Sequence, residues 1–193
     1  KEEKKAKKDQ VVIVVDPGHG GEDPGKVGIN DVLEKDLNLQ IAKKVKKLLE
    51  EAGIKIVMTR TNDKVPDAKK EDLNQRVQLI NDTKPKLALC IHQNSYPDAK
   101  IKGAQVFYHT ITPAAEDVAS IVQEQLRTVD PTNTRQIKEN DTYYMLKFSE
   151  VPTIIVECGF LTNPTEAQKL TTEEYQNDIA FAICEGIVKW LDN

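Results

Sequence analysis

The fold is set by one stretch near the start of the chain, Val11-Val-Ile-Val-Val-Asp-Pro-Gly-His-Gly-Gly-Glu-Asp-Pro-Gly-Lys-Val-Gly28. Its first five residues are all β-branched, and a short apolar run of this kind is typical of a strand buried on both faces. Pro17 cannot donate to a sheet ladder, and the glycines after it allow backbone conformations closed to other residues. His19 lies on this turn. Open α/β sheets place their chemistry beyond the carboxyl ends of their strands, so we predict a functional site here.

The glycine-rich turn matches nucleotide-binding loops poorly. Residues 20–26 satisfy G-x-x-x-x-G-K, but Val27 stands where a P-loop needs a hydroxyl group for magnesium. Glu22 and Asp23 would also bring negative charge into a phosphate cradle. The dinucleotide pattern fails because Asp23 occupies the position of its third glycine. The other interpretation of the turn is a metal site, which requires further ligands elsewhere in the chain.

Length, composition and charge indicate a single soluble, globular domain. The 193 residues suffice for one hydrophobic core, and they are 39% hydrophobic and 30% charged. The net charge of -4 argues against nucleic-acid binding, because it implies no dense cationic face. No apolar run approaches the length of a membrane span. The cysteines lie in apolar stretches and predict small buried side chains rather than a disulfide framework, and they are Cys90, Cys158 and Cys184.

Apolar periodicity predicts strands that alternate with helices. The predicted strands cover residues 11–15, 54–59, 87–91, 104–108 and 152–157, and the predicted helices are one ending at Gly53 and three over residues 70–81, 113–128 and 173–191. Residues 130–141 are polar and irregular, with a short helix that begins near Asp141. This alternation predicts a single α/β domain with a mainly parallel or mixed sheet and helices on both faces.

Side chains with metal-binding chemistry follow three of these strands. His19 and His92 each come directly after an apolar strand, and Glu157 follows the last one. Because the carboxyl ends of parallel strands share one rim, we expect these residues to meet. Two neutral imidazoles and a carboxylate are the ligand set of a catalytic zinc, and Glu34 and Glu157 must divide the roles of ligand and general base. The third histidine, His109, follows a strand of more alternating polarity and is predicted to be structural or exposed.

Each of these residues also has a structural interpretation. Asp31-x-x-Glu34 is a capping pattern, in which Asp31 is the N-cap of the first helix and Glu34 reaches back to it. The residues alone leave open whether Glu34 caps the helix or binds a metal. For His19 and His92 the alternative is a structural histidine at a turn or strand end, and for Glu157 it is a capping or salt-bridging carboxylate.

With these residues in place, the chain resembles the zinc-dependent N-acetylmuramoyl-L-alanine amidases of the amidase-3 type over nearly everything from Val11 to Leu191. Six motifs carry the resemblance in order, and they are Asp16-Pro-Gly-His-Gly-Gly21, Leu33-Glu-Lys-Asp-Leu-Asn-Leu39, Met58-Thr-Arg60, Leu73-x-x-Arg76 with Asn81, Ile91-His-x-Asn94 and Val156-Glu-x-Gly-Phe-Leu-x-Asn163. The resemblance implies a six-stranded sheet flanked by helices, formed by a catalytic domain of residues 11–193. Residues 1–10 are a charge run, which is typical of a solvated linker or tail.

The resemblance also implies the site and its chemistry. His19, Glu34 and His92 are expected to bind Zn²⁺, and Glu157 is expected to be the catalytic glutamate. The reaction that the resemblance implies is hydrolysis of the amide bond between N-acetylmuramic acid and the L-alanine of the stem peptide. The alternatives are a zinc carboxypeptidase-like peptidase and a peptidoglycan-binding protein that is partner-dependent or weakly active.

The expected substrate is peptidoglycan, that is, glycan strands with their stem peptides. Asn94 and Arg135 are candidates for positioning it, since a guanidinium suits the carboxylates of a peptide. Within the family, the compact form with Asp31-Val-Leu-Glu-Lys-Asp36 looks most like the spore-cortex amidases of endospore formers. That likeness implies an extracellular or cell-envelope location, including the forespore intermembrane space, and an envelope protein as partner.

Overall fold

The computed structural model describes residues 11–110 and 112–193, so the predicted linker of residues 1–10 lies outside the described residues. The strands are β1 (Val12–Pro17), β2 (Lys55–Met58), β3 (Leu87–Asn94), β4 (Gln105–Tyr108), β5 (Lys138–Glu139) and β6 (Thr153–Phe160). The helices are α1 (Glu34–Glu51), α2 (Lys69–Thr83), α3 (Pro113–Val129), α4 (Tyr144–Phe148), α5 (Pro164–Leu170) and α6 (Glu173–Asp192).

The strands form one six-stranded sheet in the order β2-β1-β3-β6-β4-β5. Strands β2, β1, β3 and β6 are parallel to one another. Strand β4 runs antiparallel to β6, and β5 is parallel to β4. The predicted mixed α/β sheet is therefore confirmed. Its parallel part brings the carboxyl ends of β1, β3 and β6 together, with Pro17 opposite Ile91 and His92 opposite Glu157.

Both faces of the sheet are covered, as the apolar run in β1 predicts. Ile13 and Val15 belong to a core that α1, α3 and α6 share, whereas Val14 belongs to a second core with α2 and α4. Gly186 on α6 allows α3 to approach closely, because a Cβ atom there would lie 2.8 Å from the Cα of Val122. Each large aliphatic side chain buried in these layers contributes about 1.5–3 kcal/mol to folding.

Two elements were absent from the sequence prediction. Helix α5 begins after Asn163, whose side chain caps it by accepting the backbone N–H groups of Thr165 and Glu166. Strand β5 spans only two exposed residues, and so short an element carries no apolar pattern that could reveal it. It is nevertheless the sixth strand that the family resemblance implies.

Helix α4 begins at Tyr144 rather than near Asp141. The side chain of Asn140 accepts the backbone N–H groups of Thr142 and Tyr143, which stabilises a turn where the helix was expected to start. All three cysteines are free and buried, as predicted. Within residues 11–110 and 112–193, no helix is both long and apolar enough to cross a membrane.

Candidate metal centre

Three predicted ligand residues converge at the carboxyl ends of β1 and β3. Nε2 of His19 lies 3.2 Å from Oε1 of Glu34, and Nδ1 of His92 lies 3.0 Å from the same oxygen. One donor atom from each residue lies within 4.8 Å of the other two. Two imidazole nitrogens and one carboxylate oxygen are the donors of many catalytic zinc sites. The residues therefore fit a cation of the zinc type in both chemistry and spacing.

The orientation of His19 depends on its backbone and on Asp23. His19 has a φ angle of 62°, a left-handed conformation that non-glycine residues seldom adopt. Oδ2 of Asp23 lies 3.0 Å from Nδ1 of His19, which leaves Nε2 directed at Glu34. A carboxylate in this position fixes the tautomer and the ring orientation of a ligand histidine.

Asp23 is held by several donors besides the imidazole. Its Oδ1 accepts the N–H of Gly25 at 3.0 Å, and its Oδ2 lies 3.0 Å from Nζ of Lys69. Partial burial raises the pKa of Asp23, but hydrogen bonds from His19, Gly25 and Lys69 outweigh it and lower the pKa to about 2. The carboxylate is thus ionised at neutral pH and suited to bind the Nδ1–H group of His19.

The structure contradicts the capping interpretation of Glu34. The N-cap of α1 is Leu33, and no side chain caps the helix. The Glu34 carboxylate turns inward instead, where Oε2 accepts the N–H of Lys26 at 2.8 Å and Oε1 accepts the N–H of Gln93 at 3.1 Å. Asp31 has a φ angle of 60° and lies in the turn before the helix.

Glu34 and His92 influence each other's protonation. Burial raises the pKa of Glu34, but the hydrogen bonds and charges of His19 and His92 lower it overall. For His92 burial lowers the pKa, whereas the hydrogen bond and charge of Glu34 raise it overall. Because histidine binds a metal in its neutral form, a cation at this site competes with protons held by this cluster.

Two glycines of the turn make room for the ligand side chains. A Cβ atom on Gly18 would lie 2.1 Å from Cε1 of His92. A Cβ atom on Gly25 would lie 2.6 Å from both Oε2 of Glu34 and Cδ2 of His19. Both glycines are therefore required by the close approach of these side chains, and Gly25 is required also by its positive φ of 65°.

Glu157 lies beside the donor set. It is the register partner of His92, and both residues lie inside their strands rather than after them. Glu157 is 7% exposed, and its Oε2 has no hydrogen-bond partner within the described part of the chain. Burial raises its pKa to about 7, helped by the charge of Glu34 and opposed by those of His92 and His19. A carboxylate with this pKa can accept and return a proton near neutral pH.

The donor set and Glu157 face one open cleft of about 480 Å³. Its lining consists of His19, Glu34, Lys69, Leu73, His92, Gln93, Asn94, Ser95, Tyr143, Tyr144, Met145, Ile155 and Glu157. Asn94 thus lies in the cleft, as a substrate-positioning residue should. Arg135 is not among the described residues that line it, because its Nε donates to the carbonyl of Lys102 and its guanidinium lies 4.9 Å from the centre of the Phe160 ring. The substrate roles of both residues stay predictions.

The sequence analysis missed the residues that support the ligands. Asp23 was interpreted only as a charge unfavourable to phosphate, although a carboxylate four residues after a ligand histidine is a usable signal. Asn38 was part of a motif without a role, and its Nδ2 donates to the carbonyl of Gly18 at 3.1 Å and to Oε1 of Glu34 at 3.4 Å. His109 belongs to neither the donor set nor the described lining of the cleft.

The fold and the site together define a class of protein, an α/β-domain hydrolase with a donor set suited to a catalytic metal. The sequence model of the N-acetylmuramoyl-L-alanine amidase family matches residues 13–189, and this chain belongs to that family. It is an N-acetylmuramoyl-L-alanine amidase, a hydrolase of peptidoglycan. The family match favours this activity over the carboxypeptidase-like alternative.

Individual relatives agree with the family. The chain is 39% identical over 188 residues to the germination-specific N-acetylmuramoyl-L-alanine amidase of Bacillus subtilis. The matched region covers 93% of this chain and 79% of that protein. The CwlD amidase of Clostridioides difficile, solved in complex with the GerS lipoprotein, superposes with a TM-score of 0.91 at 35% identity and covers 95% of this chain and 99% of that one. The catalytic domain of CwlV from Bacillus (Paenibacillus) polymyxa superposes with a TM-score of 0.85 at 29% identity, with coverage of 95% and 99%.

Proposed function

We propose that this amidase is zinc-dependent, with His19, Glu34 and His92 as the ligands and Glu157 as the catalytic residue. The observation that carries the proposal is the convergence of the three donor atoms within 4.8 Å, beside a buried carboxylate with an unpaired oxygen. Residues 11–193 then constitute the catalytic domain.

The chemistry divides between the cation and the protein. Zinc at this site supplies Lewis-acid activation of the scissile carbonyl and of water. Glu157 accepts a proton from the attacking water and delivers it to the departing amine of L-alanine, since an amine leaves poorly unless it is protonated. Asn94, Tyr143 and Tyr144 line the same cleft, and we assign them to contacts with the substrate.

The ligand assignment is tested by comparing all three histidines of the chain. His19→Ala and His92→Ala should lose zinc in a competition with a chromophoric chelator, while His109→Ala should bind zinc like the wild type. Because His109 lies outside the donor set, it controls for the general effect of removing an imidazole. Equal zinc affinity in all three variants would refute the ligand assignment.

The role of Glu157 is tested by Glu157→Gln, which keeps the shape of the side chain and removes its basicity. The variant should retain zinc but release L-alanine amino termini from purified peptidoglycan at least about 100-fold more slowly, the usual scale for a general base. Wild-type release should also require zinc. A variant that turns over at a near-normal rate would contradict the assignment.

We further propose a role in spore-cortex maturation, with action in the cell envelope, including the forespore intermembrane space. Two relatives support it, the germination-specific amidase of Bacillus subtilis and the CwlD amidase solved with the GerS lipoprotein. A comparable envelope protein is the proposed partner. Cortex from spores that lack this amidase should contain unprocessed stem peptides where the wild type contains muramic lactam, and normal lactam content would contradict the role.

A further inference from the structure

Two buried arginines lie behind the turn that carries His19. Arg60 is 5% exposed and Arg76 is 4% exposed, although arginine is seldom so buried unless its charge is paired. Both residues belong to motifs quoted above, but neither lies in the donor set or provides chemistry at Glu157. Their burial therefore needs a separate explanation.

The two guanidinium groups bind the backbone carbonyls of three consecutive residues of the turn. Arg76 donates from Nη1 to Pro17 at 2.7 Å and from Nη2 to His19 at 2.7 Å. Arg60 donates from Nε to Pro17 at 2.9 Å and from Nη2 to Gly18 at 3.1 Å. These carbonyls converge because the chain turns sharply at the end of β1. We call the pair Arg60 and Arg76 the arginine clamp.

The arginine clamp also ties the turn to three secondary-structure elements. Arg60 donates from Nη2 to the carbonyl of Lys35 in α1 at 2.7 Å. Arg76 pairs through Nη1 with Asp16 of β1 and through Nε with Asp72 of α2, both at 2.8 Å. The position of the turn is thereby fixed relative to the sheet and to helices on both of its faces.

Burying two neighbouring guanidinium groups costs desolvation free energy, which apolar residues in the same positions would not cost. Burial and the neighbouring charge of Arg76 lower the pKa of Arg60, whereas Asp16 and Asp72 outweigh burial and raise the pKa of Arg76. Replacing buried ion pairs by apolar residues of similar volume is often neutral or stabilising. A planar fork that reaches adjacent carbonyls is, however, something that neither an apolar residue nor a lysine can supply.

We propose that Arg60 and Arg76 are positioning residues for the metal centre. By holding the carbonyls of Gly18 and His19, the two arginines maintain the left-handed φ of 62° at His19 and direct its Nε2 toward Glu34. The inference rests on the proposed zinc site, since it assigns the clamp to the orientation of one of its ligands. The orientation of His19 is then controlled by Arg60 and Arg76, which follow it in the chain by 41 and 57 positions.

The test uses Arg60→Lys and Arg76→Lys, which keep the positive charge and remove the fork. Arg127→Lys is the matched control, because Arg127 also donates to a backbone carbonyl, that of Arg135 at 2.7 Å, but in another part of the molecule. Zinc dissociation constants come from chelator competition at a temperature where circular dichroism shows every variant folded. Hydrogen exchange of the amides of residues 18–21 is measured without metal.

We expect zinc to bind at least about 10-fold more weakly to the two clamp variants, the usual scale for a residue that orients a ligand, and unchanged in the control. Exchange at residues 18–21 should accelerate in the same two variants. If Arg76→Lys does not fold, the test uses Arg60→Lys and Asp72→Ala instead. Asp72→Ala removes the carboxylate that accepts the hydrogen bond from Nε of Arg76.

The outcomes separate the two proposals. Folded clamp variants with wild-type zinc affinity and wild-type exchange would overturn the clamp and leave the zinc site intact. A wild type that binds no zinc would overturn the proposed metal centre instead. In that case faster exchange in the clamp variants would still support control of the turn, and unchanged exchange would refute it.

Discussion

Gly18 lies directly against the imidazole of His92, so a single methyl group added to this glycine would overlap the ring. The Gly18 N–H donates to the carbonyl of Ile91 at 3.0 Å, which fixes the glycine to the strand that carries His92. Its carbonyl accepts donors from Asn38 and Arg60. The backbone at Gly18 is thus held on both sides and cannot retreat from the ring.

Gly18→Ala should therefore displace the His92 ring without unfolding the protein. Gly18 does not have a positive φ, so alanine fits its backbone, but the new Cβ would lie 2.1 Å from Cε1 and 2.2 Å from Nε2 of His92. We expect zinc affinity to fall at least about 10-fold, as for other changes that misorient a ligand. Chelator competition measures it.

The matched control is Gly159→Ala on β6. Its Cβ would meet the end of the flexible Leu170 side chain at 3.2 Å, a contact that a small movement relieves. This variant should keep zinc affinity close to that of the wild type. If both alanine variants bind zinc equally well, Gly18 is not needed to accommodate His92.

The contact between Gly18 and His92 also shows what the sequence was able to predict. The apolar run of β1 and the polar residues that follow three apolar runs of the sequence predicted the sheet and the rim at which His19, His92 and Glu157 meet. The sequence contained no sign that Gly18 accommodates a ring 74 positions away, because that contact follows from the strand register. A turn glycine and a glycine that makes room for a ligand look identical in one sequence.

Asp23→Asn should weaken zinc binding through His19. The substitution keeps an oxygen near Nδ1 of His19 but removes the charge that favours a proton there. We expect about 10-fold weaker binding in chelator competition, since the carboxylate partners of ligand histidines contribute on this scale. The control is Asp130→Asn, whose carboxylate accepts the N–H and hydroxyl of Thr132 and does not line the described cleft. Identical affinities for the two variants would exclude an orienting role for Asp23.

Glu166 supports the far end of β6, beyond Glu157. It is 5% exposed, and its two oxygens accept the N–H groups of Gly103 and Phe160 at 2.9 and 2.8 Å. Glu166→Gln would turn an amide NH₂ toward one of these donors. We expect the free energy of unfolding in urea to fall by about 1–3 kcal/mol, the cost of an unsatisfied buried group. The exposed Glu174→Gln should change it by less than about 0.5 kcal/mol, and equal effects would show that the Glu166 contacts add nothing.

Helix α5, which carries Glu166, illustrates where pattern reading fails. Seven residues are too few for a periodic apolar stripe, and the cap at Asn163 had been assigned only to a family motif. The same holds for Glu34, whose place in a capping pattern was a correct observation with a wrong interpretation. What decided the matter was a tertiary contact, the Gln93 N–H on β3, which the spacing of Asp31 and Glu34 cannot reveal.

The burial of Glu157 predicts an unusual pH dependence of stability in the metal-free protein. Folding raises the pKa of this carboxyl from 4.5 to about 7, so the folded state favours its protonated form. The stability that Glu157 contributes is therefore fully present below pH 4.5 and is lost as the pH rises through about 7. At about 1.4 kcal/mol per pH unit, the loss amounts to about 3 kcal/mol.

Glu157→Gln removes this titration and keeps a neutral side chain of the same shape. With metal removed by EDTA, the variant should lose less stability than the wild type between pH 5 and pH 8, by about 2–3 kcal/mol in urea unfolding. Comparing the two proteins at each pH cancels the titration of the groups that Glu157 does not influence. His92 is not one of these groups, because the charge of Glu157 helps to raise its pKa. Parallel curves over this range would show that the pKa of Glu157 is not raised in the metal-free protein.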